Sequence, residues 1–420
     1  MVLSSPADFI STTPRFNSKE TLIPKCKQTF SWNLMIRSHT LNSNPHKAIL
    51  VYNLMIIRAI PPDKFTFPFL IKACSLSSSF RKGREVHAFA IKTGFYNDIY
   101  LHNTLIDFYF NSGDSALGRK VFDKMRVRTV VSWTTLVAGL VSCGELQDAR
   151  RVFELMPLRN VVSWTAIING YARNQMPQQA FELFRRMQLH NVPPNEFTLV
   201  SLLIASTDLG SLRLGRWIHE FARKNGFQLG LFLGTALIDM YSKCGSLVDA
   251  QRVFVKMENK SVATWNSMIT SLGVHGRGEE ALALFVQMEK AKMQPDAITF
   301  IGVLSACVHT GMVEEGCRYF RYMTHRYGIA PTVDHYGCMV ALLTRAGMLG
   351  EAYELVNAMT VEPNDDIWGV LLRASRLQGD ADLEEVAYRK FLELDIVRSD
   401  MVADVLSQHH SNESFKWEVG

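Results

Sequence analysis

A short apolar sequence motif recurs along this chain at intervals of 31 to 36 residues. VVSWT occurs at Val130–Thr134 and again at Val161–Thr165. Related motifs such as TFSWN and VATWN stand at the start of other repeating blocks of the sequence. The blocks begin at Thr29, Lys64, Ile99, Val130, Val161, Glu196, Leu231, Val262, Ala297 and Val333. Such periods indicate a solenoid, because one unit of this size cannot bury its apolar face alone and must stack on its neighbours.

Each block has the pattern of two amphipathic helices. In the block from Val161, apolar residues recur at the i, i+3, i+4, i+7 spacing of a helix in both halves. They are Trp164, Ile167, Ile168 and Tyr171 in the first half, and Ala180, Leu183, Phe184 and Met187 in the second. Pro193 and Pro194 then end the second helix, since proline has no N–H to continue it. The pattern predicts an all-α fold, a right-handed α-solenoid superhelix of stacked helix-turn-helix repeats.

The composition fits a repeat array and excludes several classes of protein. At 420 residues, with 47% hydrophobic and 20% charged residues, the chain is folded and longer than one compact domain. Seven cysteines without a CxxC pair argue against a disulfide framework. The longest apolar stretch, from Ala48, is too short to span a bilayer, so no membrane partner is expected. A formal net charge of +5 is compatible with a polyanionic partner.

Several blocks carry more particular motifs. VVSWTAIINGYARNQMPQQAFELFRRMQLHNVPPN, from Val161, resembles a pentatricopeptide repeat (PPR), and SMITSLGVHGRGEEALALFVQMEKAKMQPD, from Ser267, is similar to one. FTFPFLIKACSLSSSFRKGREVHAFAIKTGF, from Phe65, resembles the long (L) variant, and the 31-residue blocks resemble the short variant. The order of block lengths resembles the plant PLS subclass. DIWGVLLRASRLQGDADLEEVAYRKFLELD, from Asp366, resembles a first extension (E) motif. A tetratricopeptide array would show a more uniform 34-residue period.

This resemblance divides the chain into four parts. Residues 1–28 are an N-terminal segment, either a possible organellar transit peptide or a frayed terminus. Residues 29–364 hold about ten repeats: 29–63, 64–98, 99–129, 130–160, 161–195, 196–230, 231–261, 262–296, 297–332 and 333–364. Residues 365–397 form the E-like motif. Residues 398–420 are a degenerate tail that does not resemble a second extension motif, so we expect a truncated E-type C-terminus.

The resemblance implies that the array binds single-stranded RNA, one repeat to one base. In the family, the fifth and the last residue of a repeat together recognise the base. The pairs here are Asn33 with Asp63, Asn103 with Thr129, Thr134 with Asn160, Thr165 with Asn195, Thr235 with Ser261, and Asn266 with Asp296. An amide or hydroxyl at such positions can bond the Watson–Crick edge of a base. The L blocks carry Pro68/Asp98, Val200/Gly230 and Ile301/Thr332, which offer little discrimination.

The second residue of nearly every block is apolar. These residues are Phe30, Phe65, Tyr100, Val131, Val162, Phe197, Phe232, Ala263 and Ile298. In the family they sandwich the bases, and such contacts are worth about 1–3 kcal/mol per base for aromatic side chains. A hydrophobic staple at the entrance of each helix is the alternative interpretation.

The family pairing predicts an RNA tract of U, any, pyrimidine, A, A, any, purine-leaning, U and two undetermined bases, from 5′ to 3′. One hypothesis is that the chain selects sites for C-to-U editing, with a deaminase and accessory proteins supplied in trans. The alternatives are RNA stabilisation or splicing without editing, and a tetratricopeptide-like protein-binding scaffold. The resemblance implies a plastid or a mitochondrion, and the overall pattern with the Ser/Thr-rich start of the chain favours the chloroplast, with the mitochondrion as the alternative. No DNA partner is expected.

The sequence predicts no catalytic site. A zinc deaminase, as found at the C-terminus of PLS proteins of the DYW class, needs an H-x-E segment and a later PCxxC, and neither occurs. His87, His219 and His335 lie inside predicted helices and are expected to be structural. We therefore expect no enzyme activity, metal or cofactor.

Overall fold

The computed structural model describes residues 28–394, which form α-helices joined by short loops. The first ten helices are α1 Thr29–Leu41, α2 Pro45–Ile57, α3 Thr66–Leu76, α4 Phe80–Lys92, α5 Ile99–Asn111, α6 Ser115–Lys124, α7 Val130–Ser142, α8 Leu146–Leu155, α9 Val161–Arg173 and α10 Pro177–Leu189. A 3₁₀ turn, Phe95–Asn97, precedes α5.

Eleven further helices follow: α11 Glu196–Asp208, α12 Leu212–Lys224, α13 Leu231–Lys243, α14 Leu247–Lys256, α15 Val262–Val274, α16 Gly278–Lys290, α17 Ala297–Thr310, α18 Val313–Tyr327, α19 Val333–Arg345, α20 Leu349–Asn357 and α21 Asp365–Gln378. Residues 381–394 are also helical. The predicted N-terminal segment, apart from residue 28, and the predicted tail lie outside the described residues. Within 28–394 no β-strand occurs, and the all-α fold class is confirmed.

The odd-numbered helices are the first helices of the sequence blocks. All of them up to α19 start at the first residue of a block except α3, which starts at Thr66, two residues after Lys64. Each even-numbered helix from α2 to α20 lies in the second half of its block. The apolar motifs therefore lie at the start of the first helix of each pair.

The described chain consists of two compact units. The first contains the described residues up to Asn174 together with Leu183–Pro193, and the second contains Gln175–Glu182 and the described residues from Pro194 onward. In the first unit, α1, α3, α5, α7 and α9 pack in sequence, each against the next. In the second unit, α11, α13, α15, α17, α19 and α21 do the same. Each unit is thus a stack of helix pairs.

The cores of the stacks consist of the predicted apolar stripes. Trp164, Ile167 and Ile168 are buried on α9, and Leu183 and Met187 are buried on α10. Burial of one such side chain contributes about 1.5–3 kcal/mol, so the stripes are the main source of stability. Among the helices of residues 28–394, none is both long and apolar enough to cross a bilayer.

Close contact between successive odd helices requires small residues at a few positions. A Cβ at Gly273 on α15 would lie 2.7 Å from the Cα of Ala306 on α17, closer than two non-bonded carbon atoms approach each other. A larger residue at Gly273 would push the two helices apart. This glycine therefore fixes the spacing of the α15 and α17 surfaces described below.

The E-like region forms one more helix pair. Ile367, Trp368 and Leu371 on α21, with Ala387 on the helix of residues 381–394, are buried in one cluster with residues of α19 and α20. Over its described part, residues 365–394, the E-like region thus continues the stack with the same architecture as the preceding blocks.

Candidate nucleic-acid interface

The last residue of a block has a structural role that sequence reasoning missed, because it caps the first helix of the next block. Thr129, Asn160, Ser261 and Asp296 are the N-cap residues of α7, α9, α15 and α17. Each accepts the N3 backbone N–H through its side chain, while the N3 side chain accepts the N–H of the cap residue in return. Such reciprocal capping boxes stabilise a helix start by about 1 kcal/mol. The N3 position is the third residue of the next block.

Asn266 and Asp296, one predicted base-recognition pair, are joined directly. Asn266 Nδ2 donates to Asp296 Oδ1 at 3.0 Å, although 30 residues separate them in sequence. Thr299 Oγ1 lies 2.7 Å from Asn266 Oδ1 and 2.9 Å from Asp296 Oδ1. The fifth residue of one block, its last residue and the third residue of the next block thus form a single hydrogen-bonded cluster.

The same cluster occurs at the start of the array. Asn33 Nδ2 donates to Asp63 Oδ1 at 2.8 Å, and Thr66 Oγ1 donates to Asn33 Oδ1 at 2.7 Å. Asp63 Oδ1 also accepts the backbone N–H of Thr66 at 3.1 Å. Asn33 is 9% exposed and Asn266 is 6% exposed, so both amides present only an edge to solvent.

The remaining fifth residues differ in their partners. Thr235 Oγ1 lies 2.7 Å from Thr264 Oγ1, again the third residue of the next block. Among the described residues, Asn103 Oδ1 and Thr134 Oγ1 are buried without a hydrogen-bond partner. Buried polar atoms of this kind are uncommon and call for an explanation, such as a ligand that completes the site. Thr165 belongs to the first unit and Asn195 to the second.

The second residues of the blocks are exposed, although they are apolar. The exposed fractions are Phe30 69%, Phe65 60%, Tyr100 78%, Val131 60%, Val162 55%, Phe197 52%, Phe232 60% and Ile298 61%, and Ala263 is exposed as well. The rings of Phe197 and Phe232 lie 5.3 Å apart between centroids. This exposure does not fit a hydrophobic staple, which would cover these side chains at the helix entrance.

A cavity of about 640 Å³ lies on this surface in the second unit. Ala263 and Ile298, the second residues of successive blocks, line it together with Asn266 and Asp296. Lys243, in an ion pair with Asp239 at 2.9 Å, also lines it. Its volume lies in the range of ligand pockets, about 300–1,000 Å³. The cavity brings together two predicted sandwich residues, one predicted recognition pair and a cation.

The histidines singled out in the sequence make contacts within the helical stack. His87 Nδ1 lies 2.7 Å from the Tyr109 hydroxyl, and His219 Nδ1 lies 2.9 Å from the Tyr241 hydroxyl. Burial lowers the pKa of both imidazoles. In residues 28–394, no group of three or more His, Cys, Asp or Glu side chains has the arrangement of a metal site.

Sequence comparison matches these helix pairs to a known repeat. The PPR repeat family profile matches residues 159–205 and 260–309, and the PPR repeat profile matches residues 30–59, 100–130, 131–161, 235–262, 298–326 and 334–362. A chloroplastic pentatricopeptide repeat-containing protein of Arabidopsis thaliana is 63% identical over 338 residues, 80% of this chain and 74% of that protein. The chain belongs to the pentatricopeptide repeat family.

Other members of the family are also similar. A second Arabidopsis PPR protein is 46% identical and covers 85% of this chain, which spans 58% of that protein's length. A mitochondrial Arabidopsis PPR protein is 39% identical over 92% of this chain and 57% of its own length. Among solved structures, PPR10 in complex with an 18-nt psaJ RNA element matches 93% of this chain and 62% of its own, with a TM-score of 0.66 and 16% identity. The PPR10 match supports the solenoid fold.

Proposed function

We propose that this chain is a sequence-specific single-stranded RNA-binding protein of an organelle, and that the face formed by the second and fifth residues of its repeats contacts the bases. The cavity between Ala263 and Ile298 is the main support, because it places an amide and a carboxylate between two exposed apolar side chains. A planar base between such side chains gains apolar contact on both faces and hydrogen bonds at its edge. PPR10, a protein of similar fold, has been solved with RNA bound.

The surroundings of three fifth residues support the proposed tract. Asn266 with Asp296 and Asn33 with Asp63 form the same cluster, in keeping with U at the first and eighth bases. Thr134 Oγ1 is buried and has no partner among the described residues, so its hydroxyl is left for a base once the side chain turns toward it. Thr134 with Asn160 and Thr165 with Asn195 are the pairs for two successive adenines.

A binding measurement tests this proposal. The full chain is titrated against the predicted tract, against the same RNA with both adenines changed to cytosine, and against a scrambled RNA of equal composition. We expect the predicted tract to bind at least tenfold more tightly than the cytosine variant, since each mismatched base loses hydrogen bonds. Equal affinity for these two RNAs would refute the assignment of Thr134 and Thr165. No binding to any of the three RNAs would favour a protein-binding scaffold.

The biological role that we propose is site recognition for C-to-U editing, with a deaminase and accessory proteins acting in trans. The PLS-like order of repeats and the E-like helix pair of residues 365–394 support it. RNA stabilisation or splicing is the second candidate. Transcriptome sequencing of a loss-of-function plant separates them. Loss of C-to-U conversion at a site that matches the tract supports editing, whereas altered transcript ends or retained introns support the alternative.

We propose the chloroplast as the location and the mitochondrion as the alternative. The relative with 63% identity is named chloroplastic, and a relative with 39% identity is named mitochondrial. A fluorescent protein fused after residues 1–60 distinguishes the two by its distribution in leaf cells. A signal confined to mitochondria would reverse the preferred assignment.

A further inference from the structure

We infer that the third residue of the following repeat is a positioning residue for base recognition, because it sets the orientation of the fifth-residue side chain. Thr66, Thr264 and Thr299 are the residues concerned. Each lies on the odd helix after the one that carries the fifth residue, and each hydroxyl is within 2.7 Å of that residue's side-chain oxygen. The inference rests on the proposed RNA-binding function and adds a third side chain to each recognition pair.

The hydrogen bonds around Thr299 allow only one orientation of the Asn266 amide. The Thr299 hydroxyl accepts the backbone N–H of Asp296 at 3.0 Å, and its single proton is donated to Asn266 Oδ1 at 2.7 Å, the shorter of its two acceptor distances. Asp296 Oδ1 is an acceptor only, so it requires Asn266 Nδ2 as its partner. A flipped amide would place its oxygen against the carboxylate and its N–H₂ against a hydroxyl proton.

A fixed amide presents a fixed pattern to the cavity. One N–H and one oxygen lone pair of Asn266 are used within the cluster, and the other N–H and lone pair remain for a ligand. A base edge is accepted when its acceptor and donor face that N–H and that lone pair. Without the threonine hydroxyl, only the hydrogen bond to Asp296 holds the amide, so its orientation is less tightly fixed and discrimination between uracil and cytosine decreases.

The repeats with serine at this position provide the contrast. Ser163 Oγ donates to the carbonyl of its own cap residue, Asn160, at 2.9 Å, and Ser132 Oγ lies 3.1 Å from Thr129 Oγ1. Serine lacks the γ-methyl group that restricts χ1 in threonine, so the direction of its hydroxyl is less restricted. In the described chain, the fifth residues that precede these serines, Asn103 and Thr134, each have the unpartnered oxygen described above.

The test measures discrimination between RNAs with uracil or cytosine at the eighth position of the tract. In the Thr299→Val variant of the full chain, we expect this ratio to fall about three- to tenfold, the effect of one hydrogen bond. Ser163→Ala is the matched control, because it also removes the N3 half of a capping box, but Ser163 forms no hydrogen bond with Thr134 Oγ1. This control should keep its discrimination between adenine and cytosine at the fourth position.

The outcomes separate this inference from the proposed function. If the wild-type chain does not bind the tract, the proposed function fails. If the wild type discriminates uracil from cytosine and folded Thr299→Val does so equally well, the positioning role is overturned. Ser132→Thr tests the same role in the opposite direction without removing a cap. It should raise discrimination at the third position, and an unchanged ratio there would also overturn the inference.

Discussion

The odd-numbered helices of the second unit carry two different surfaces. On α15 and α17, the second residues Ala263 and Ile298 are apolar and exposed, and Asn266 lies between them at the cavity. On α19 and α21, the corresponding second residues are Asp334 and Asp366, which are also exposed. The fifth residues there are Gly337 and Gly369, so no side chain is available to contact a base edge.

The two regions nevertheless share one packing scheme. Trp265 on α15 and Trp368 on α21 occupy the same fourth position and are 8% and 7% exposed. A Cβ at Gly337 would meet no atom within 4 Å, so packing does not require glycine there. Surface chemistry therefore changes independently of the core. We expect contact with bases to end before α19, since exposed carboxylates repel phosphate and offer no stacking surface.

The largest expected effect concerns the shared core. Trp265→Ala and Trp368→Ala should each lower the free energy of unfolding by about 3–5 kcal/mol, because both leave a large cavity between helices. Trp217→Ala is the control, since Trp217 is 46% exposed and its loss should cost less than about 1 kcal/mol. Urea unfolding followed by circular dichroism measures all three. A large loss in only one of the two buried variants would contradict the shared scheme.

The next effect concerns the apolar surface. Ile298→Asp places on α17 the residue type found at the same position of α19 and α21. We expect RNA affinity to fall about tenfold or more, since one apolar contact with a base is lost and a negative charge faces the phosphates of the RNA. Ile298 is 61% exposed, so the melting temperature should remain within a few degrees. Asp334→Asn is the matched control and should bind as the wild type does; fluorescence anisotropy with labelled RNA measures both.

A smaller gain should follow from the reverse change. The double variant Asp334→Phe and Gly337→Asn gives α19 a stacking side chain and an amide. The tenth base of the predicted tract corresponds to the block of α19, so for this tract we expect affinity to rise about fivefold over wild type, within the contribution of one stacked base. The same tract without its tenth base is the control and should bind both proteins equally. An equal gain for both RNAs would indicate non-specific binding by the new phenylalanine.

The smallest expected effect depends on pH and also distinguishes the two regions. The third residue of α17 is Thr299, whereas that of α19 is His335, whose Nδ1 accepts the backbone N–H of Thr332 at 3.1 Å. Burial lowers the pKa of His335 from its usual 6.5, although the Ala297 carbonyl and Asp334 oppose the shift. The unfolded chain therefore binds this proton at a higher pH than the folded chain does. The contribution of His335 to the free energy of unfolding is complete above pH 6.5 and decreases as the pH falls below it.

His335→Ser removes this titration and keeps a hydroxyl at the cap, as at Ser132. Thermal unfolding at pH 7.5 and 5.5 should show a smaller difference in the variant than in the wild type. His39, His87 and His219, whose pKa values are also lowered by burial, contribute to the difference that remains. An identical difference in both proteins would show that His335 does not contribute.

Much of the fold could be predicted from the sequence, because its signals are local and repeated. The spacing of Trp164, Ile167 and Ile168 identified a helical face that is buried in the structure. The two VVSWT motifs predicted helix starts correctly, because Val130 and Val161 directly follow the residues that cap these helices. The position of Asn266 and Asp296 at a common site was also expected, but only through the resemblance to a family.

The hydrogen bonds between repeats could not be predicted. Thr299 bonds its own cap residue and also Asn266, 33 residues away, whereas Ser163 Oγ bonds its own cap residue, and the two side chains differ by one methyl group. Each of these side chains has several possible partners, and only the packed positions of adjacent odd helices select among them. The capping role of residues such as Asn160 could have been found, since Asn before an apolar helix start with Ser at N3 is a known cap pattern.

The sequence by itself determined the number of blocks, the helical period and the type of side chain at each surface position. These depend on the order of residues within one helix, where the spacing is fixed by the backbone. The tertiary structure decided which side chains of successive repeats meet, because that depends on how closely helices such as α15 and α17 approach at Gly273. The tertiary structure also shows that the second residues of the VVSWT motifs, Val131 and Val162, face solvent rather than the core.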